Sequence, residues 1–156
     1  MSAYRIELLG AHDRSAFVSG SDALDRYIRE QAKQDIRRRV ASCFVAIDTD
    51  GIIAGYYTIA ATSLILDKLS PERAKRLPRY PSIPAVLLGR LAVAQAHQGK
   101  RLGGALVADA LLRATRAEVM AYAMEVDAKD EQAANFYEHL GFERLGDDPR
   151  KLIRSL

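Results

Sequence analysis

Residues 86–106 read VLLGRLAVAQAHQGKRLGGAL: an apolar run containing β-branched valines, a short polar loop, and two adjacent glycines at the head of a helical pattern. A strand, a loop and a helix N-terminus in that order make a cradle for an anion. The first N–H groups of a helix have no internal partner, and the helix dipole places partial positive charge on them. Gly103 and Gly104 carry no Cβ and let a phosphate approach closely, while Gln98, Lys100 and Arg101 place donors around the mouth. The same letters also fit a glycine-containing turn before an ordinary amphipathic helix, and from this stretch alone both readings stand.

Two common phosphate loops do not fit. A Walker loop follows Gly-Lys with Ser or Thr to hold the metal, and here Gly99-Lys100 is followed by Arg101. A dinucleotide fingerprint needs G-x-G-x-x-G directly after its strand, a spacing that does not occur here. A metal site is not expected either, because the three histidines, at 12, 97 and 139, are far apart in the chain. The single cysteine, Cys43, rules out an internal disulfide, and its neighbours Phe44, Val45 and Ala46 suggest a buried strand thiol.

At 156 residues, 49% hydrophobic and 28% charged, the chain has the size and composition of one soluble domain. No apolar run approaches the roughly 20 residues that span a bilayer, and MSAYRIELLG lacks the apolar core of a signal peptide. A cytoplasmic location with no membrane partner is the expectation. The net charge of +3 is unevenly placed, with basic residues at Arg37 to Arg39, at Arg73, Lys75, Arg76 and Arg79, and at Lys100 and Arg101. Each cluster alone is explained by a solvated face. Together they suit a polyanion only where the fold brings them side by side.

Taken in order, residues 4–9 read as a first strand. A helix follows, capped by Ser21 or Asp22, with Leu24, Tyr27, Ile28, Ala32 and Ile36 on one face. Cys43 to Asp48, the turn Thr49-Asp50-Gly51 and residues 52–61 form a hairpin. Ser70-Pro71-Glu72 starts a short helix that Pro78 ends, and LPRYPSIPAV reads as a stiff, ordered loop leading into the strand at Val86 to Val93. Beyond the cradle helix come a strand at residues 122–128 and a helix capped by Asp130 or Asp127. Ala133, Ala134, Phe136, Tyr137 and Leu140 mark that helix's buried face and Gly141 its end. A last hairpin turns at Gly146, Asp147 and Pro149. Strands alternating with helices around a hairpin predict a single α/β layered domain with a mixed central sheet flanked by helices.

The pair QGKRLGGAL and AANFYEHLGF, in that order and separated by about one strand's length beyond the helix, resembles the GNAT acetyltransferases. That family holds the pyrophosphate of acetyl-coenzyme A (acetyl-CoA) on a Q-x-x-G-x-G/A signature, which here runs Gln98, Gly99, Lys100, Arg101, Leu102, Gly103. Arg101 stands where the family usually has its first glycine. In ordinary helical geometry it still offers its N–H while its Cβ crowds the ligand; alternatively its guanidinium pairs a phosphate directly. The resemblance implies that Gln98 to Gly104 hold the cofactor phosphates and that Leu91, Ala92 and Val93 pair their main chain with the pantetheine arm. It also implies that Asn135 and Tyr137 face the thioester end, with Tyr137 as the general acid.

Further stretches, among them LDRYIREQAKQD, IAGYYTIAATSL and LPRYPSIPAVLLGRLAV, resemble the acetyltransferase toxins of toxin-antitoxin pairs. Such toxins acetylate the α-amino group of aminoacyl-tRNA and stop translation, and their usual partner is a ribbon-helix-helix antitoxin. Arg90, Arg79 and Arg76 are then the candidate acceptor contacts, though Arg90 equally fits a charged strand-edge residue, and a homodimer is left open. Two other readings use the same cofactor residues: an acetyltransferase of a small amine or protein N-terminus, and a non-catalytic module that binds acetyl-CoA or nucleic acid.

Overall fold

The structure, a computed structural model, describes residues 3–146 and 148–156. Its elements run β1 Arg5–Leu8, α1 Asp22–Arg26, α2 Ala32–Arg37, β2 Ser42–Ile47, β3 Ile53–Ile65, α3 Pro71–Lys75, β4 Ser82–Val93, α4 Leu102–Arg116, β5 Ala123–Asp127, α5 Glu131–His139, β6 Glu143–Leu145 and β7 Asp148–Ser155. The strands are ordered β1-β2-β3-β4-β5-β7-β6, with β4 and β5 parallel and β5 antiparallel to β7, so the sheet is mixed as the sequence implies. The chain forms two compact units. The first takes the chain up to Ala60 together with Gly89–Ala110, and the second takes Ala61–Leu88 with Leu111–Leu156.

In the first unit, Ile28 and Ala32 pack against Cys43, Val45, Ile47, Ile53, Tyr56 and Ala92 in one buried cluster. The apolar spacing of residues 24–36 correctly places a helix here, but the helix is not uniform. Tyr27–Gln31 form a π turn between α1 and α2, in which the N–H of Ala32 donates to the carbonyl of Tyr27, five residues back. Ser21 caps the start, its hydroxyl accepting from Leu24 N. The buried Asp25 accepts from Ser19 through both N (3.0 Å) and Oγ (2.6 Å) and so ties the preceding loop to α1. In the β2–β3 turn the Oδ1 of Asp48 accepts from Asp50 N and Ile52 N, which closes the hairpin around Gly51 at φ 80°.

In the second unit, Leu64, Leu69, Ile83, Ala85, Ala123 and Ile153 share a buried cluster. Ser70 caps α3 with Pro71 at its first position, as expected. The stiff loop of the sequence reading is shorter than expected, because β4 begins at Ser82 and Pro84 lies inside it. The Pro84 carbonyl accepts from Tyr122 N at 2.9 Å; proline lacks only the donor, so a strand can still use its acceptor. Arg73, counted in the sequence among the solvated cations, is instead largely enclosed. It donates to Tyr122 Oη (2.9 Å), Ser155 Oγ (2.8 Å) and Glu143 Oε2 (3.0 Å). Asp130 caps α5 by accepting from Ala133 N at 2.8 Å, and Gly141 ends it at φ 90°. Of the turn expected at Gly146, Asp147 and Pro149, Pro149 lies within β7 and Asp147 lies outside the described residues.

Candidate active site

The cradle belongs to the first unit. After β4 a short 3₁₀ turn, Gln95–His97, leads through Gln98 to Gly99 at φ 80° and Arg101 at φ 63°, and α4 starts at Leu102. Residues alternating into the left-handed region turn successive N–H groups towards one side, which is the geometry of an anion nest. Arg101 therefore does not sit in ordinary helical geometry. It adopts the conformation that glycine favours, at a cost of about 1–2 kcal/mol for a residue with a Cβ. Lys100 and Arg101 are exposed, and the first turn of α4 carries no acidic residue, so nothing there opposes a phosphate. These features fit the pyrophosphate of acetyl-CoA.

Gln98 has a different role from the one expected of it. Its Nε2 donates to Ser19 O (2.7 Å) and Val93 O (3.0 Å), so both amide hydrogens are already committed to fastening the loop. His97, one residue earlier, is held by Tyr4 Oη at Nδ1 (2.8 Å) and by Asp48 Oδ2 at Nε2 (3.2 Å). The Ile52 N–H that donates to Asp48 Oδ1 is the largest cause holding the Asp48 carboxyl below the usual carboxylate range, and the Asp50 N–H and His97 Nε2 add to it. On the other side of the loop, Gly55 lets β3 approach α4. A Cβ there would meet Ala92 O at 3.0 Å, Leu106 Cδ1 at 3.1 Å and Leu102 Cδ2 at 3.3 Å.

The strand leading to the cradle keeps part of its main chain beyond its parallel neighbour. Its register with β5 runs from Ala85↔Ala123 to Leu88↔Val126, and β4 continues to Val93. Leu91, Ala92 and Val93, the expected contacts of the pantetheine arm, lie in that continuation, and Arg90 immediately precedes them. Arg79 and Arg76 lie in the second unit, exposed on the segment after α3.

The second unit also holds Tyr137 and Asn135, on α5. The Tyr137 ring is buried between Phe136 and Phe142, edge-on to both at centroid distances of 5.1 and 5.5 Å. Its hydroxyl makes no hydrogen bond among the described residues and is not sealed from the surface. Burial pushes the phenol up to about 12, so it is protonated throughout the physiological range. Asn135 departs from expectation. Two positions along a helix differ by about 200°, and Asn135 accordingly lies on the exposed face with Glu131 and Glu138. Its Oδ1 accepts from Arg144 Nη2 at 3.1 Å, beside the pairs that Arg144 makes with Glu131 (2.7 Å) and Glu138 (2.9 Å). Asn135 and Tyr137 thus do not point the same way, and Asn135 braces α5 against β6.

A family model described as an acetyltransferase (GNAT) domain matches residues 39–144. The chain belongs to the GNAT acetyltransferase family. It is 35% identical over 145 residues to a tRNA-acetylating toxin of Mycobacterium tuberculosis (strain ATCC 25618 / H37Rv), covering 92% of this chain and 86% of that protein. It also superposes on AtaT complexed with acetyl-methionyl-tRNAfMet, with a TM-score of 0.88, 28% identity, and coverage of 97% of this chain and 94% of that one. A mutant AtaT toxin bound to the C-terminus of the antitoxin AtaR and acetyl-CoA gives a TM-score of 0.80 at 25% identity, over 99% of this chain and 94% of that one.

As a GNAT domain the protein makes acetyl-CoA its co-substrate. Among the described residues no three His, Cys, Asp or Glu side chains group as a metal site, and no helix is long and apolar enough to cross a membrane. Cys43 is buried, its thiol pushed up to about 12 by desolvation, which keeps it from acting as a thiolate nucleophile. Three features around the cradle and the end of β4 escaped the sequence: the Asp48–His97–Tyr4 link, the Gly55 approach, and the Cζ of Arg90 lying 3.7 Å from the Tyr27 ring centroid. For the first, the signal was the immediate adjacency of His97 and Gln98; the other two depend on non-local packing.

Proposed function

We propose that this acetyltransferase transfers the acetyl group of acetyl-CoA to the α-amino group of aminoacyl-tRNA in the cytoplasm, stopping translation, and that the whole chain acts as one domain. The likeness over 92% of the chain to a protein named for acetylating tRNA carries this reading. The superposition on AtaT complexed with acetyl-methionyl-tRNAfMet supports it. The proposed partner is a ribbon-helix-helix antitoxin that neutralises the enzyme, in keeping with AtaT bound to the C-terminus of AtaR.

Acetyl-CoA supplies an activated acetyl group on a thiol leaving group. Gly99 to Gly104 hold its phosphates with backbone N–H groups, Lys100 and Arg101 add charge, and the main chain of Leu91 to Val93 aligns the arm in the manner of an added strand. A backbone N–H near Val93 polarises the thioester carbonyl. The acceptor needs little help to lose its proton: an α-amine titrates near 7.7–8.0, and the adjacent ester lowers that further. Residues 86–93 accordingly offer no carboxylate base. As the new N–C bond forms and the C–S bond breaks, Tyr137 hydrogen-bonds the departing sulfur and gives it a proton, and the proton shed by the acylated nitrogen restores the phenol through solvent. A thiol near 8.5 is a stronger acid than this phenol, so the contribution rises with the charge that develops on sulfur in the transition state.

The test incubates purified protein with labelled acetyl-CoA and a pool of aminoacylated tRNA, with uncharged tRNA as control. Label is expected on the charged pool only, and mild deacylation should release it as N-acetyl amino acid. Efficient acetylation of a small amine or peptide with charged tRNA left unlabelled would overturn the assignment.

A further inference from the structure

Arg90 lies over an aromatic ring, and none of its donors is spent on a described residue. Its Cζ lies 3.7 Å from the centroid of the Tyr27 ring, a cation–π contact. The ring is itself fixed. Tyr27 is buried in the π turn, its hydroxyl donates to Asp35 Oδ2 at 2.8 Å, and Gln31 Nε2 donates to the other oxygen of the same carboxylate at 3.0 Å. These two bonds hold the Asp35 carboxyl below its usual range. Asp35, already bonded twice, forms neither a hydrogen bond nor a close ion pair with Arg90 among the described residues, although the Arg90 charge also helps to lower its carboxyl, and the guanidinium makes no hydrogen bond to any described residue. Arg90 also borders an open hollow of about 350 Å³, whose other walls are Ala23, Leu24, Arg26, Tyr27, Glu30 and Gln31. The opposing charge there, Glu30, faces Arg26 at 3.7 Å across an exposed pair that contributes little.

A guanidinium held against a fixed ring and making no hydrogen bond among the described residues keeps its fork of donors for the paired oxygens of a phosphate, which a lysine meets only as a point charge. Arg90 stands three residues before Val93, about 10 Å back along the strand from the end of β4, and the cradle begins only beyond the turn that follows. The cofactor's pyrophosphate, held in the cradle, is therefore out of reach of Arg90, which lies on the far side of Leu91 to Val93 from the cradle, next to the stretch proposed to align the arm. We propose that Arg90, seated on Tyr27, binds a phosphodiester of the 3′-terminal nucleotides of the acceptor and so sets the aminoacyl amine against the thioester. This rests on the function proposed above.

The experiment compares the wild-type enzyme with Arg90→Gln, Arg90→Lys, Tyr27→Phe and Tyr27→Leu on two acceptors: charged tRNA, and an aminoacyl ester of adenosine that has no phosphate. Arg90→Gln is expected to raise KM for charged tRNA tenfold or more and to reduce the slope of log KM against log salt by about one, the signature of one lost phosphate contact. Its rate on aminoacyl-adenosine and its affinity for coenzyme A should stay as in the wild type. Arg90→Lys recovers part of the loss. Tyr27→Phe keeps the ring and costs little, whereas Tyr27→Leu weakens tRNA use in the wild-type background but adds nothing to Arg90→Gln. Equal losses on both acceptors would overturn the proposal, as would an unchanged KM for charged tRNA or a drop in coenzyme A affinity that dephospho-coenzyme A does not share. Wild-type protein inactive on both acceptors would overturn the proposed function itself, a result distinguishable from any of these.

Discussion

The Oδ2 of Asp48 lies 3.2 Å from the Nε2 of His97, which ties the β2–β3 turn to the residue that introduces the cradle. Gln98 follows directly, so the amide fastening Ser19 and Val93 inherits its position from that link. His97→Ala is expected to leave the circular dichroism spectrum unchanged but to weaken coenzyme A binding several-fold in calorimetry, because the loop must then be ordered at the expense of binding free energy. The carboxyl of Asp48 is lowered in the folded state, so its contribution is complete above the ordinary carboxylate range and is lost as pH falls through the folded value. Affinity in the wild type should accordingly fall on acidification towards that range, and more than in Asp48→Asn. Equal affinities for wild type and His97→Ala would assign the link to the turn alone.

Arg101 and Arg39 both occupy the left-handed region, at φ 63° and 62°, but in different settings. Arg39 ends α2, where Val40 N closes onto Asp35 O at 3.0 Å, an ordinary helix terminus that glycine suits better. Arg39→Gly should stabilise the protein by about 1 kcal/mol in denaturant titration. Arg101→Gly removes the same strain and should stabilise similarly, yet it also takes a cation from the cradle. Its coenzyme A affinity is expected to fall, most clearly at low salt. If affinity instead rises, the Arg101 side chain obstructs the phosphates and the backbone alone binds them.

Tyr137→Phe keeps the packing against Phe136 and Phe142 and removes a hydroxyl that has no partner among the described residues. Stability and coenzyme A affinity should therefore match the wild type, while kcat falls by roughly 100- to 10,000-fold with chemistry rate-limiting. The protonated phenol is the working form and its titration is displaced upward to about 12. The pH–rate profile should rise as the acceptor amine deprotonates and then stay level to about pH 10, where an ordinary tyrosine would begin to titrate. A descending limb near pH 9 would show that another group serves as the acid.

The sequence made the cradle legible because glycines, a strand and a helix start are local signals. Tyr137, the proposed proton donor, was singled out through its motif. Asn135 was set beside Tyr137 at the thioester by the motif, but two positions along a helix differ by about 200° and the two face apart; the partner that occupies Asn135, Arg144, lies nine residues away on β6 and gives no local signal. Gln98 was taken for a phosphate donor because its own acceptors, Ser19 O and Val93 O, become neighbours only in the fold. The π turn at Tyr27–Gln31 escaped for a related reason. One extra residue in a turn leaves the apolar spacing of Leu24, Ile28, Ala32 and Ile36 intact while it reseats Tyr27 under Arg90.

Glu125 offers a test of the second unit that is independent of the cofactor. It lies buried on β5, with Lys151 Nζ at 3.9 Å, and its carboxyl is raised above the usual range because desolvation, with the nearby Asp127 charge, outweighs the attraction of Lys151. A carboxylate whose folded value is raised opposes folding once it ionises: the cost is absent below the unfolded value, near 4.3, and complete above the folded one. Glu125→Gln keeps the shape and removes the charge, and Lys151 retains Asp127 at 3.8 Å. The variant is expected to melt above the wild type at pH 7 to 8, with the difference shrinking to nothing as pH falls below about 4. A lower Tm at neutral pH would show instead that the pair with Lys151 outweighs the burial of its carboxylate.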